Sequence, residues 1–223
     1  MKKEMMVQLI DFLHAFEIEN QDVDNYTMAD FIGYLNAKLD TEKIQIRKIE
    51  GAENEQIQGI RQESNSDISI LITLMFRYAK NYIKKALQGS TIQTADEFVY
   101  LITLMTHESL TKTELINKQV MEITSGVEVI KRLLAQKMIT EFADKQDKRS
   151  VRVAITNKGK EELGKVLPKM AMVSKIVVGN LSQAEINTLA YLLKKLDYYH
   201  NDIFINKKNI ALEDILGQSD DLK

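Results

Sequence analysis

The chain has 223 residues, 44% hydrophobic and 28% charged, a balance that packs a core and is too apolar for a disordered polymer. It contains no cysteine, which excludes disulfides, thiolate zinc sites, cysteine nucleophiles and thiol-based redox sensing. The net charge of −2 hides an asymmetry, since residues 1–66 carry 7 Lys+Arg against 13 Asp+Glu while residues 111–160 carry 11 against 6, so positive charge is gathered in one segment.

No stretch approaches the roughly 18 apolar residues of a membrane span, and the start, Met1-Lys-Lys-Glu-Met-Met-Val7, lacks the apolar core of a secretory leader. A cytoplasmic protein is expected. One proline and nine glycines leave little room for irregular linkers, and apolar residues recur at i, i+3 and i+4. In chain order this spacing predicts helices over 4–18, 27–40, 53–63, 67–88, 94–106, 111–118, 123–136, 157–179 and 182–205. Four starts are marked by capping boxes or close variants, Thr27-Met-Ala-Asp30, Thr94-Ala-Asp-Glu97, Thr111-Lys-Thr-Glu114 and Ser182-Gln-Ala-Glu185, in which a hydroxyl and a carboxylate satisfy orphan backbone N–H groups.

In the helix over 123–136, Val127, Ile130, Leu133 and Leu134 share an apolar face, leaving Thr124, Ser125, Glu128, Lys131, Arg132 and Ala135 towards the other. The period then changes. Val151, Val153 and Ile155 alternate with Arg152, Ala154 and Thr156, as a half-buried strand requires. With a first strand over Met138–Phe142, this forms a hairpin whose tip, Asp144-Lys-Gln-Asp-Lys-Arg149, has five charged residues in six. Pro168 should kink the long helix around it, which Gly179-Asn180 ends. The acidic tail after residue 209 is expected to be peripheral or partly disordered.

Two short helices, a tight turn and a charged hairpin follow the order of a winged helix-turn-helix, whose second helix enters the DNA major groove. Val120 and Ile123 are expected to clip the turn. Thr124 and Ser125 lie in the first turn of that helix, where N–H groups and hydroxyls meet phosphates or base edges, and Lys131 and Arg132 supply charge further along. Lys112 adds a cation at the start of the first helix. Glu128 has two readings, acceptor for a cytosine amino group or partner of Ser125 in a capping box.

From Leu110 to Leu163 the sequence resembles the DNA-binding lobe of MarR-type regulators, a bacterial family. The likeness runs through Leu110-Thr-Lys-Thr-Glu-Leu115, Arg132-Leu133 and above all Asp147-Lys-Arg149-Ser-Val-Arg-Val-Ala-Ile-Thr156-Asn-Lys-Gly159, with weaker similarity from about 67 to 205. The resemblance implies a mostly α (α+β) fold, a winged helix-turn-helix with a two-stranded wing flanked by N- and C-terminal dimerisation helices. The expected layout is a helical extension of unknown role over 1–66, a dimerisation region over 67–92 and 157–205, the winged domain over 93–156 and a tail over 206–223.

The same resemblance implies that Arg149 reaches into the minor groove and that Asp147 orients its guanidinium, a fixed planar cation suiting the negative potential there. Lys145, Lys148 and Arg152 would add phosphate contacts. The opposing reading of the hairpin is a solvated charged loop with no partner. Leu71, Leu74, Met75, Tyr78, Tyr82 and Ile83, with Leu189, Leu192, Leu193, Leu196 and Tyr199, supply apolar stripes for a homodimer, or else for an intrachain core. One departure is Lys137, where the family usually ends the recognition helix with a glycine in the left-handed conformation.

The family commonly binds small, often aromatic, molecules near the dimer helices, and Phe76, Tyr78, Phe98, Tyr100 and Met105 are the candidate lining, or plain core. His14, His107 and His200 are isolated, and no metal-ligand spacing, phosphate-cradling glycine loop or catalytic motif appears. No cofactor, metal or enzymatic activity is expected. The function expected is a transcription regulator, a repressor rather than an activator, binding double-stranded DNA at a pseudo-palindromic operator as a homodimer, with release by a small ligand. The alternative is a winged-helix protein-interaction module without DNA binding, its acidic N-terminal arm contacting a protein partner.

Overall fold

A computed structural model describes residues 2–21, 26–40, 64–144, 147, 149–207 and 210–220. The chain divides into two compact units, Met1–Gln62 and Glu63–Lys223. In the first, α1 (Lys3–Glu19) and α2 (Met28–Asp40) meet around the buried Phe16 and Phe31. The Phe16 ring lies edge-on to Tyr26, Phe31 and Tyr34 at centroid distances of 5.1, 5.4 and 5.2 Å, the arrangement that ring quadrupoles favour. Thr27 and Asp30 close a capping box at the entry to α2, with the Thr27 N–H donating to the Asp30 carboxylate at 2.6 Å. The helix expected over 53–63 lies outside the described residues.

The second unit runs α3 (Ser64–Ala86), α4 (Ala95–Met105), β1 (Leu110–Thr111), α5 (Lys112–Lys118), α6 (Ile123–Ala135), β2 (Ile139–Ala143), β3 (Val151–Ile155), α7 (Asn157–Val178), α8 (Gln183–Asn206) and α9 (Leu212–Asp220). Its sheet is antiparallel in the order β1-β3-β2. Val153 pairs with Leu110 on one side and Glu141 on the other. The wing hairpin expected from the alternation is therefore present, with one addition. A two-residue strand, too short to show a period, attaches the wing to the body ahead of α5. The tail expected to be peripheral or partly disordered contains α9.

The core packs Ile92, Tyr100, Leu101, Leu104, Leu115, Ile116, Ile130, Leu133, Met138, Val153 and Leu163 from α4, α5, α6, β3, α7 and the loops ahead of α4 and β2. Burying side chains of this size contributes about 1.5–3 kcal/mol each. Capping boxes at Thr94/Glu97, Thr111/Glu114 and Ser182/Glu185 are all closed, each satisfying backbone donors that would otherwise be orphaned and contributing about 1 kcal/mol.

The inward face of α6 is centred on Gly126, Val129, Ile130 and Leu133, with Val127 and Leu134 at its borders. This is one position round from the expected face. Gly126 explains the shift, because a Cβ there would stand 2.5 Å from Ile116 Cγ1 and 2.8 Å from the Tyr100 hydroxyl. A bare backbone lets α6 settle against α5 and α4. Lys137 follows the helix at φ 58°, the left-handed geometry expected of a glycine.

Candidate nucleic-acid interface

The expected recognition helix is α6. Its N-cap, Glu122, makes no side-chain capping bond, so Thr124 and Ser125 bring exposed hydroxyls to a helix end whose N–H dipoles point outwards. Glu128 neither caps nor pairs with Ser125. Its carboxylate accepts from Lys131 Nζ at 2.7 Å on the exposed face, because the helix begins at Ile123 and puts Ser125 already inside the first turn. The capping reading of Glu128 is corrected accordingly.

Val120 and Ile123 are not clips in the turn. Both are exposed, Val120 adopts φ 50°, and Met121 is the turn residue that packs against the core. A branched side chain in this left-handed geometry stores about 1–3 kcal/mol of strain, held by hydrogen bonds from Val120 N–H to Asn117 O and from Met121 N–H to Ile116 O.

Arg132 has a fixed place. Its Nε donates to Glu97 Oε1 at 2.9 Å, and Glu97 is fully buried. The other Glu97 oxygen accepts from the N–H groups of Gln93 at 2.7 Å and Thr94 at 3.3 Å. One carboxylate thus caps α4 and ties it to α6 across 35 residues of sequence. Such a charge-assisted network is worth more than a surface ion pair because the carboxylate is desolvated and every partner is a donor.

The other end of α6 is held by α7. Lys158 Nζ donates to Gln136 O at 2.8 Å, a cation placed on helix-terminal carbonyls. Thr156 donates its hydroxyl to Lys137 O at 2.8 Å and accepts from Gly159 N–H at 3.1 Å. Gly159 is required because a Cβ would run into the Met138 carbonyl and stand 2.8 Å from Ile155 Cγ1. The Thr-x-x-Gly pattern of the sequence is the joint where α6, β2 and α7 meet.

At the base of the wing, Lys112 of α5 pairs with Glu141 of β2. Arg152 uses all three of its nitrogens within the chain, donating from Nε to Ser109 Oγ, from Nη1 to Asp144 Oδ2 and from Nη2 to Ser109 O, each at 2.8 Å. Arg152, expected as a phosphate contact, is held by three intrachain hydrogen bonds. Asp147 Oδ1 accepts from the backbone N–H of Arg149 at 3.0 Å, so it fixes the main chain at the wing arginine, where the guanidinium was the expected partner. Arg149 itself is exposed, and its guanidinium has no partner among the described residues. Lys145 and Lys148 lie outside the described residues.

The five aromatic and methionine candidates do not share one surface. Tyr100 is wholly buried, Phe98 packs on the core, and Phe76, Tyr78 and Met105 are exposed. Burial pushes the Tyr100 phenol up to about 12, with Asp96 adding to the effect, and its hydroxyl donates to Met121 Sδ at 3.3 Å. It is a neutral core group with no lining surface to offer. Phe76 and Tyr78, with Ile68, Leu71, Ile72 and Met75, line α3 on the outside. The 24-residue α8 has no buried residue, and Leu189, Leu192, Leu193 and Leu196 are each at least 39% exposed.

Sequence reasoning missed Glu97, Ser109 and Asp144 as partners of the basic residues. The capping box at Glu97 was readable, but nothing in the spacing pairs it with Arg132, which a separate helix delivers.

This architecture is that of a winged helix-turn-helix protein. No protein-family model matches the chain. It is 28% identical over 103 residues to the HTH-type transcriptional repressor NicR of Pseudomonas putida, a match covering 46% of this chain and 65% of the repressor, slightly less than two thirds of that protein's length. Among solved structures, it is similar to BpsR of Bordetella bronchiseptica, whose DNA binding is regulated by 6-hydroxynicotinic acid (TM-score 0.55, 22% identity, 59% of this chain and 98% of that one). It is similar to a mutant MarR of E. coli in complex with operator DNA (TM-score 0.55, 23% identity, 58% and 93%). A MarR transcriptional regulator of Methanosarcina mazei gives a TM-score of 0.57 at 20% identity over 62% and 99%. Within the winged-helix class, the fold of this chain is that of the MarR-type regulators.

Proposed function

We propose that the protein is a DNA-binding transcription regulator, a repressor, that engages a pseudo-palindromic operator as a homodimer and is not an enzyme. The observation that carries this reading is the pairing of two exposed elements on one packed core. The outward face of α6 has an uncapped N-terminus, and a wing carries Arg149 with no acidic partner among the described residues, in the segment where the chain's positive charge is gathered. Operator DNA bound to the MarR protein of the same fold supports the reading.

Thr124 and Ser125 at the helix N-terminus are the base-edge and phosphate contacts of this proposal, and Lys131 is a phosphate ligand that exchanges its exposed Glu128 for DNA. Arg132, anchored through Nε, keeps its two terminal nitrogens for the backbone. Arg149 enters the minor groove. The exposed apolar faces of α3 and α8 supply the dimer, whose two-fold axis sets half-sites about one helical turn apart. A small aromatic molecule held near Phe76, Tyr78 and Met105 would release the operator, in keeping with the ligand regulation of BpsR.

Electrophoretic mobility shift with duplex DNA from upstream of the protein's own coding sequence tests this. Two chains should bind per duplex, and unrelated duplex should compete poorly. Equal competition by any duplex would reduce the protein to a nonspecific binder, and no shift at low salt would favour a winged-helix module for a protein partner.

A further inference from the structure

A chain of hydrogen bonds connects the body of the domain to the wing tip. The Ser109 hydroxyl and carbonyl, just ahead of β1, accept from Arg152 Nε and Nη2. Arg152 Nη1 donates to Asp144 Oδ2 at 2.8 Å, the other Asp144 oxygen accepts from Asp147 N–H at 3.3 Å, and Asp147 Oδ1 accepts from Arg149 N–H at 3.0 Å. The Ser150 N–H donates to Asp147 O at 2.8 Å and the Asp144 N–H to Ser150 O at 3.0 Å. The Asp144 side chain is only 11% exposed and that of Arg152 28%.

From this arrangement we infer that Asp144 and Arg152 are positioning residues for DNA recognition, forming a clasp that fixes the main chain carrying Arg149 before DNA arrives. The inference rests on the DNA-binding reading above. A charged segment loses conformational freedom on binding, and a main chain already held at Asp144, Asp147 and Arg149 loses less of it. Arg152 is suited to the part, because its planar fork satisfies a hydroxyl, a carbonyl and a carboxylate at once, which a lysine ammonium on a flexible stem does not. The Asp144 carboxylate beside it raises the Arg152 guanidinium above its ordinary value, and Glu114 and Glu108 add to the effect.

The clasp predicts a sign opposite to simple electrostatics. Removing an acid from a DNA-facing wing should tighten binding if charge alone matters, whereas loss of the clasp should weaken it. Binding of the full chain to labelled duplex DNA from upstream of its own coding sequence would be followed by fluorescence anisotropy across several salt concentrations. Wild type would be compared with Asp144→Asn, Arg152→Gln, Arg149→Ala and Asp144→Asn/Arg149→Ala. Ser109→Ala, which removes only the hydroxyl acceptor, covers the case in which the wing variants fail to fold, as judged by thermal melting.

Asp144→Asn and Arg152→Gln should each weaken binding on the order of tenfold with the salt slope unchanged, since neither loses a phosphate contact. In the Arg149→Ala background Asp144→Asn should have no further effect, because its action passes through Arg149. Asp144→Asn binding as tightly as wild type or tighter overturns the inference. So does an undiminished loss in the Arg149→Ala background, or a salt slope about one unit shallower in Arg152→Gln, which would make Arg152 a phosphate ligand. Wild type that shows no salt-dependent binding overturns the DNA-binding reading and, with it, the clasp's part in recognition.

Discussion

The Glu97 carboxylate provides the sharpest test of how α6 is held. Changing Glu97 to Gln leaves one oxygen and replaces the other by an NH2 group, while the groups facing that carboxylate are all donors: Arg132 Nε at 2.9 Å and the Gln93 and Thr94 N–H groups. Wherever the amide turns, it sets a donor against a donor. Hydrogen bonds to charged groups contribute about 1.5–3 kcal/mol, but the Arg132 side chain is 43% exposed and water recovers part of its loss, so Glu97→Gln should destabilise by about 1–2 kcal/mol. Urea denaturation at fixed protein concentration measures this, since dimerisation would couple stability to concentration. In a double-mutant cycle with Arg132→Ala the coupling should be about 1 kcal/mol. Effects that add to within about 0.3 kcal/mol would show that the two side chains do not act as a pair and would refute the account of α4 holding α6.

The joint at Thr156–Gly159 predicts that Gly159→Ala costs about 2 kcal/mol in the same denaturation assay, because the clash with the Met138 carbonyl outweighs alanine's better helix propensity; a stabilised variant would contradict the close approach. At Lys137, φ 58° leads to the opposite expectation, and Lys137→Gly should stabilise by about 0.5–1 kcal/mol by removing left-handed strain. The Thr111 backbone N–H and hydroxyl hold the Glu114 carboxyl below its ordinary value of 4.5. Its contribution to stability is therefore complete above pH 4.5 and is lost as pH falls through the lower folded value. Glu114→Gln should flatten the pH dependence of the denaturation midpoint in that acid range, and an unchanged profile would refute it.

Much of this fold was legible because its signals are local. Amphipathic spacing and capping residues sit within a few positions of the helix starts they specify, so α4, α5 and α8 begin where Thr94, Thr111 and Ser182 announce them. The strand alternation at Val151–Ile155 was equally local. What escaped was tertiary. The inward face of α6 is set by Gly126 meeting Ile116 and Tyr100, a close approach that no periodicity encodes. Val120 looked like a hydrophobic clip because apolar residues near a turn usually bury, yet the left-handed backbone turns it to solvent. At the wing the motif marked the right segment but hid how its charges are divided. Arg132 and Arg152 read as DNA ligands by type and position, and the fold gives each a carboxylate, Glu97 and Asp144, from another element. Glu128 was ambiguous because three-residue spacing suits both a capping box and an exposed ion pair, and only the true helix start decides between them.

Binding of duplex DNA by an exposed helix and a basic wing would make affinity depend on salt. Anisotropy titrations of wild type and Arg149→Ala against duplex from upstream of the protein's own coding sequence should give affinity that falls steeply as salt rises. The variant should be weaker by more than about 1 kcal/mol. No binding at low salt by a folded dimer, or affinity indifferent to both salt and Arg149, would contradict the account.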